Sequence, residues 1–134
     1  MERDQLITLL KKNEAFGAAP AGAIDNLVDV GEIRSIEAGT ALLHQGATGE
    51  SIWMPLSGTL EVVVNEQIVK TIDTSGEVFG EISAVSLTPA TATVQTADDC
   101  STFCIPHGEL HRVMKTSPDL AAAMLRSMAK YLGH

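Results

Sequence analysis

Seven short apolar runs separated by glycine fill the middle of this chain and constrain its fold more than any other feature. They are Glu32–Ile36, Thr40–His44, Ser51–Leu56, Thr59–Val64, Ile68–Ile72, Ala92–Thr96 and Ser101–Ile105. Runs of this length, bounded by turn residues, are typical of strands. The stretch VVVNEQIVK predicts a hairpin whose two β-branched runs are joined across Asn65-Glu66-Gln67. Together the runs indicate a closed or sandwiched β unit over residues 32–105.

Helices are expected on both sides of this β unit. Residues 3–12 and about 20–28 carry apolar side chains at helical spacing, and so does Pro106–Lys115. Ser117-Pro118-Asp119 then predicts a helix start, with Ser as N-cap, Pro in the first helical position and Asp in the first turn. The apolar stripe of this last helix is Leu120, Met124, Leu125, Met128 and Leu132. Two interpretations of the stripe stay open, packing on the β unit and a subunit contact.

Length and charge limit the classes of function. The 134 residues predict one domain, 1–134, made of an N-terminal helical segment (1–30), a β unit (31–105) and C-terminal helices (106–134). A net charge of −8 argues against an electrostatic grip on nucleic acid or on an acidic membrane. No apolar run is long enough to cross a bilayer, and residues 1–16 lack the features of a signal peptide. We therefore expect a cytoplasmic protein.

The cysteines and histidines offer little support for redox or metal chemistry. Cys100 and Cys104 lie four apart on one predicted strand, roughly 13 Å along it, which is beyond disulfide reach. We expect both to be small core residues. An enzyme of the metal-binding cupin class would need several histidines and a carboxylate on one strand pair. His44 stands alone, and His107 and His111 lie on a predicted helix, so we expect neither a metal site nor a catalytic constellation.

The stretch SGEVFGEISAVSLTPATATVQT, residues 75–96, has the small residues and hydroxyl groups of a loop that holds a phosphate. Gly76 allows a turn with positive φ, and Gly80 lets the backbone approach a ligand without a Cβ. A short helical turn from Glu81 would aim its free N–H groups at that ligand. From Thr71 to His111, however, the only basic residues are two histidines at the far end. The loop therefore has the shape of an anion site without its countercharge.

The spacing of this loop resembles the phosphate-binding cassette of the cyclic nucleotide-binding domain family. The pattern G-x-x-F-G-E-I-x-A-(x)-P-x-x-A-T-V runs from Gly76 to Val94. The likeness continues upstream in IEAGT (36–40), HQGA (44–47), Ile52-Trp53 and SGTLEV (57–62), which have the order of the family's β-roll. The family includes catabolite-activator-type transcription regulators, protein kinase A and G regulatory domains and cyclic-nucleotide-gated channels. The resemblance thus covers nearly the whole chain.

The resemblance implies a fold and a ligand site. The implied fold is mainly β with flanking helices, an antiparallel, double-stranded, jelly-roll-like β-roll between N-terminal and C-terminal helices. The implied ligand-binding residues are Phe79, Gly80, Glu81, Ile82, Ser83, Ala90, Thr91 and Ala92. Gly80 would approach the sugar, Glu81 would accept the ribose 2′-hydroxyl, and the N–H groups of Ile82 and Ser83 would bind the cyclic phosphate. Thr91 matches a position that contacts phosphate and, in members that prefer cyclic GMP, the guanine amino group.

The chain departs from the family at its phosphate-binding arginine, whose position Ala90 occupies. A charge-assisted contact from arginine to phosphate contributes roughly 1.5–3 kcal/mol, and more when bidentate. Its loss should weaken binding by roughly 10- to 1,000-fold. The backbone donors remain, so the absence of the arginine charge at position 90 weakens the site without removing it.

Two functions follow from different classes of protein. The first is a non-catalytic regulatory domain that binds cAMP or cGMP, with no further cofactor, and passes the signal to the helices of residues 106–132. The second is an interaction module, a β-roll that has lost its nucleotide and serves in dimerisation or docking, or a fragment of a transcription regulator. No element for reading nucleic acid is expected, and a homodimer through the last helix is one expected assembly. Cyclic nucleotide binding tighter than roughly 10 µM would exclude the docking module.

Overall fold

A computed structural model describes residues 2–73, 77–80 and 89–132, with side chains up to residue 127 in the last helix. Three helices precede the sheets, namely α1 (Arg3–Lys11), α2 (Glu14–Gly17) and α3 (Ala21–Val30). The first and third confirm the helical spacing of the sequence. The second was missed, because four residues contain only one turn and show no periodicity. The side chain of Asn13 caps it by accepting hydrogen bonds from the N–H groups of Ala15 (2.9 Å) and Phe16 (3.2 Å).

All seven predicted strands are present, with ends shifted by at most one residue. They are β1 (Glu32–Ile36), β2 (Ala41–Leu43), β3 (Ser51–Ser57), β4 (Leu60–Val64), β5 (Gln67–Ile72), β6 (Thr93–Thr96) and β7 (Cys100–Pro106). They form two antiparallel sheets with the strand orders β1-β7-β3 and β2-β6-β4-β5. This arrangement is the expected antiparallel β-roll with helices on either side in the chain, and its described strands do not close into a barrel.

The β4–β5 hairpin turns more tightly than predicted. Val64 pairs with Gln67, so the loop has two residues and Gln67 belongs to the strand. Asn65 (φ 50°) and Glu66 (φ 69°) both have positive φ, as a two-residue turn that matches the strand twist requires. Asn65 tolerates this conformation because its short polar side chain can bond locally. The side chain of Gln45 supports the turn by accepting a hydrogen bond from the N–H of Asn65 at 2.9 Å.

Two helices follow the last strand, α4 (His107–Thr116) and α5 (Pro118–Leu132). The carbonyl of Ser117 accepts hydrogen bonds from the N–H groups of Leu120 and Ala121, which confirms the predicted start of α5. Leu120 and Met124 are buried, as the predicted stripe requires. Leu125 was wrongly placed in that stripe, since its side chain is 63% exposed and Ala123 is buried instead. The side chains of Met128 and Leu132 lie outside the described residues.

The apolar side chains form two separate clusters on opposite faces of the β1-β7-β3 sheet. The helical core lies between this sheet and the helices, and its large members include Phe16, Leu27, Met54, Phe103 and Leu120. The roll interior lies between the two sheets and contains Leu43, Trp53, Leu60, Ile72, Phe79, Ala90, Val94, Cys100 and Cys104. Residues alternate between the two clusters along β3 and β7, because successive side chains of a strand point to opposite faces.

Within the described part of the chain, no helix combines the length and the apolar character that a membrane crossing needs.

Candidate functional site

A cavity of about 350 Å³ opens at one end of the roll interior, where the sequence places the ligand loop. Five of the eight predicted ligand-binding residues line it, namely Phe79, Gly80, Ala90, Thr91 and Ala92. The other three, Glu81, Ile82 and Ser83, lie outside the described residues. The roll strands contribute Leu43, Val62, Lys70, Ile72 and Val94 to the described wall, and the loop also contributes Glu77, Val78 and Pro89. A mostly apolar cavity of this volume with a few polar groups is typical of a small-molecule site.

The first arm of the loop, Glu77–Gly80, is fixed to β3. Phe79 and Trp53 form an antiparallel bridge in which each N–H donates to the other's carbonyl at 3.0 Å. The Phe79 side chain packs in the roll interior with Trp53, whereas the preceding Val78 packs against the helical core. Trp53 is therefore a packed strand residue, as the sequence indicated. The arm links the two clusters, because the adjacent side chains of Val78 and Phe79 pack against different ones.

The backbone at position 80 requires glycine for two reasons that do not depend on a ligand. Its φ is +85°, in the region that favours glycine, and a Cβ there would lie 2.8 Å from the carbonyl oxygen of Ser51 on β3. The sequence predicted that Gly80 lets the backbone approach a ligand, and this stays a prediction. The close approach that the structure shows at Gly80 is to Ser51 of the protein itself. The positive φ predicted for Gly76 lies outside the described residues.

The second arm, Pro89–Ala92, is fixed to the turn between β2 and β3. The N–H of Ala90 donates to the Ala47 carbonyl, and the Ala90 carbonyl accepts from the N–H of Gly46, both at 2.8 Å. Pro89 forms an isolated bridge with Thr48. Ala90 is 7% exposed and presents only a methyl group to the cavity. The backbone of position 90 is therefore well held, although the side chain carries no charge.

The two threonines of the predicted cassette have different roles. Thr91 lies in a bend before β6, is exposed and lines the cavity. Thr93 begins β6, and its hydroxyl accepts a hydrogen bond from the N–H of Gln45 at 2.9 Å. The predicted strand Ala92–Thr96 thus begins one residue later than expected, at Thr93, and Thr91 lies outside it.

The charged groups among the described lining residues are Lys70 and Glu77, which form an ion pair with each other. Sequence reasoning missed Lys70, because it searched for a cation within the loop and Lys70 lies on β5. A signal was present in the strand QIVKTI, where Lys70 and Ile72 have the same parity and therefore share a face. Ile72 is 3% exposed, so that face is the inner one.

The cysteines and histidines are not among the residues that line this cavity. Cys100 and Cys104 are free thiols, and both are buried. Burial raises the pKa of each thiol above its ordinary value, so both stay neutral near pH 7. The ring of His107 lies 3.0 Å from the Glu50 carbonyl and meets the ring of His111 edge to face. Over residues 2–73, 77–80 and 89–132, no three side chains are grouped as metal ligands.

The sequence profile of the cyclic nucleotide-binding domain family matches residues 33–117, more than half of the chain. The two-sheet roll, the flanking helices and the cavity between the two loop arms agree with this match. The chain belongs to the cyclic nucleotide-binding domain family.

Known relatives and solved structures show how widely this domain is shared. A cGMP-dependent protein kinase of Eimeria tenella is 33% identical over 76 residues, which are 57% of this chain and 8% of the kinase. The regulatory domain of Toxoplasma gondii PKA, crystallised with cAMP, has a TM-score of 0.74 and 22% identity, covering 84% of this chain and 46% of that chain. The N-terminal domain of a transcriptional regulator from Streptomyces coelicolor has a TM-score of 0.77 and 23% identity, covering 92% and 91%.

The two structures share the fold with this chain. This chain spans less than a tenth of the length of the kinase that it matches. The matched region of the kinase is therefore one part of a larger protein.

Proposed function

We propose that this chain is a cytoplasmic regulatory domain that binds a cyclic nucleotide, cAMP or cGMP, in the cavity between Glu77–Gly80 and Pro89–Ala92. The observation that carries the proposal is the attachment of both loop arms to the roll, one to Trp53 and the other to Ala47, with both arms lining one cavity. This attachment pre-organises the loop for a small ligand. The names of the relatives support the ligand class, since one is a cGMP-dependent kinase and another was crystallised with cAMP.

The roles of individual residues follow the family pattern. Glu81 accepts the ribose 2′-hydroxyl, and the backbone N–H groups of Ile82 and Ser83 bind the cyclic phosphate. Gly80 ends the first loop arm directly before these residues in the chain, and Thr91 offers a hydroxyl from the second arm. Backbone N–H groups suit an anion because they provide fixed dipoles without side-chain reorganisation.

Signal transmission to α4 and α5 begins at the first loop arm. Val78 packs against the helical core and lines the cavity, while its neighbour Phe79 packs in the roll interior. A ligand that shifts this arm therefore changes the packing of the helical core, to which α4 contributes Leu110 and α5 contributes Leu120. The ligand moves the balance between two arrangements by as much as its affinities for them differ. The domain itself is non-catalytic and makes no direct contact with nucleic acid, and the exposed Leu125 of α5 is available for a homodimer.

Titration calorimetry with cAMP, cGMP and noncyclic AMP tests the proposal. We expect one cyclic nucleotide to bind with a dissociation constant between about 1 and 100 µM, since the phosphate arginine is absent. Glu81→Ala should weaken the binding of the cyclic nucleotide by roughly 10-fold or more. It should weaken the binding of noncyclic AMP far less, because the contact to the 2′-hydroxyl depends on correct docking. A folded protein that binds neither cyclic nucleotide at millimolar concentration would instead favour the docking module. Equal effects of Glu81→Ala on both ligands would show that Glu81 only stabilises the loop.

A further inference from the structure

Lys70 occupies an unusual place on the four-stranded sheet. It pairs with Val62 of β4, which in turn pairs with Val94 of β6, so the three side chains form one row across the sheet. Val62 and Val94 line the cavity, and Lys70 lines it with them. The neighbouring Val69 is 60% exposed. The strand thus turns an apolar residue to solvent and a charged one to the cavity, the reverse of the usual pattern.

The partner of Lys70 is also part of the site. The Lys70 ammonium donates to a Glu77 carboxylate oxygen, and Glu77 begins the first loop arm, three residues before Gly80. The side chains are 55% and 35% exposed, so water reaches the pair and its net strength is small. A weak ion pair can exchange partners readily. An anion in the cavity would meet this ammonium group at the wall formed by β5.

We propose that Lys70 supplies the positive charge that the loop lacks at Ala90, and that it exchanges its contact with Glu77 for the phosphate of the bound cyclic nucleotide. The inference rests on the proposed function, because that function provides the anion. In this arrangement Lys70 pairs with Glu77 when no ligand is bound, and the Glu77 carboxylate competes with the phosphate for the Lys70 ammonium group. Release of Glu77 also frees the start of the loop arm that carries Val78, so phosphate binding is coupled to the helical core.

Calorimetry with the cyclic nucleotide that binds the unmodified chain tests this exchange. Lys70→Gln keeps the side-chain stem and should weaken binding by roughly 10-fold or more, while Lys70→Arg should stay within about 3-fold. Glu77→Gln removes the competitor and should strengthen binding by about 2- to 5-fold. Lys12→Gln is the matched control, since Lys12 is exposed beyond α1 and its loss changes the net charge equally. It should change affinity by less than about 2-fold.

The double variant Lys70→Gln/Glu77→Gln distinguishes a direct contact between Lys70 and the phosphate from a repulsion between Glu77 and the phosphate. If Lys70 only shields the ligand from Glu77, the double variant will bind as tightly as the unmodified chain, and the inference is overturned. If Lys70 contacts the phosphate, the double variant will remain at least about 5-fold weaker. Equal losses in Lys70→Gln and Lys12→Gln would likewise overturn the inference. Either outcome leaves the proposed function standing, which fails only if the unmodified chain binds no cyclic nucleotide.

Discussion

The two faces of the β1-β7-β3 sheet are packed in different ways, although the same strands form both. On the helix side, Met54 and Phe103 belong to one cluster with large, buried side chains from the helices. On the roll side, Trp53 and Cys104 belong to a cluster shared with the four-stranded sheet, and a cavity lies against that second sheet, lined by Val62, Ile72 and Val94. Strand alternation also places Thr102 on the roll side with Cys104. Its buried hydroxyl has no hydrogen-bond partner among the described groups.

This difference assigns separate tasks to the two faces. A filled apolar side gains free energy from every buried side chain and penalises any void. A side with a cavity gives up part of that free energy and keeps room for a ligand. We therefore expect substitutions on the helix side to change stability and substitutions around the cavity to change affinity.

The largest expected effect is on the helix side. Phe103→Ala removes a buried ring that lies over Gly31 at the end of α3 and should lower the free energy of unfolding by about 3–5 kcal/mol. Cys104→Ala changes the next residue, on the roll side, and should lower it by only ~1 kcal/mol. Urea denaturation measures both. Similar losses for the two variants would contradict the division, because both side chains are fully buried.

The next effect concerns affinity. Ala90→Arg places a guanidinium at the family's phosphate position, on a backbone already held by Gly46 and Ala47. We expect cyclic nucleotide affinity to rise by roughly 10- to 1,000-fold, since a charge-assisted contact is restored. Calorimetry should also show that the gain shrinks at higher salt if the new pair is solvent-accessible.

The effect of Ala90→Arg should also depend on whether Lys70 is present. If Lys70 already supplies a cation, the two charges share one phosphate and their contributions are not additive. Ala90→Arg should then raise affinity more in Lys70→Gln than in the unmodified chain. An Ala90→Arg protein that folds yet binds no cyclic nucleotide would show that the cavity has diverged by more than one side chain.

The sequence predicted most of the fold, because its signals were local. Glycine-bounded β-branched runs located all seven strands, and Ser117-Pro118 located the start of α5. The errors occurred where local pattern and tertiary packing diverge. Leu125 fits an apolar stripe by spacing, but spacing alone does not show that its side chain faces solvent. The short helix after Asn13 depends on one capping side chain and has no period to detect.

The site was predicted only in part for a related reason. Phe79, Gly80, Ala90, Thr91 and Ala92 share one loop pattern, and the structure places all five around the cavity. Lys70 belongs to a different strand and reaches the cavity only through the pairing of β5 with β4. The role of Gly80 against Ser51 is equally non-local, since the two residues are brought together by the Phe79–Trp53 bridge.

The smallest expected effect is the difference in stability between Gly39→Ala and Gly80→Ala. It separates the strain of a positive φ from the clash of an added Cβ with β3. Gly39 and Gly80 have nearly equal φ values, +80° and +85°, but an added Cβ has open space at Gly39 and lies 2.8 Å from the Ser51 carbonyl at Gly80. Gly39→Ala should therefore lower the free energy of unfolding by ~1 kcal/mol through φ strain alone. Gly80→Ala should lower it by a further ~1 kcal/mol, because β3 or the loop arm must move. Thermal denaturation gives the stability difference, and calorimetry shows whether only Gly80→Ala loses cyclic nucleotide. Equal effects of the two variants on both measurements would mean that the contact between Gly80 and β3 does not hold the first loop arm in its binding position.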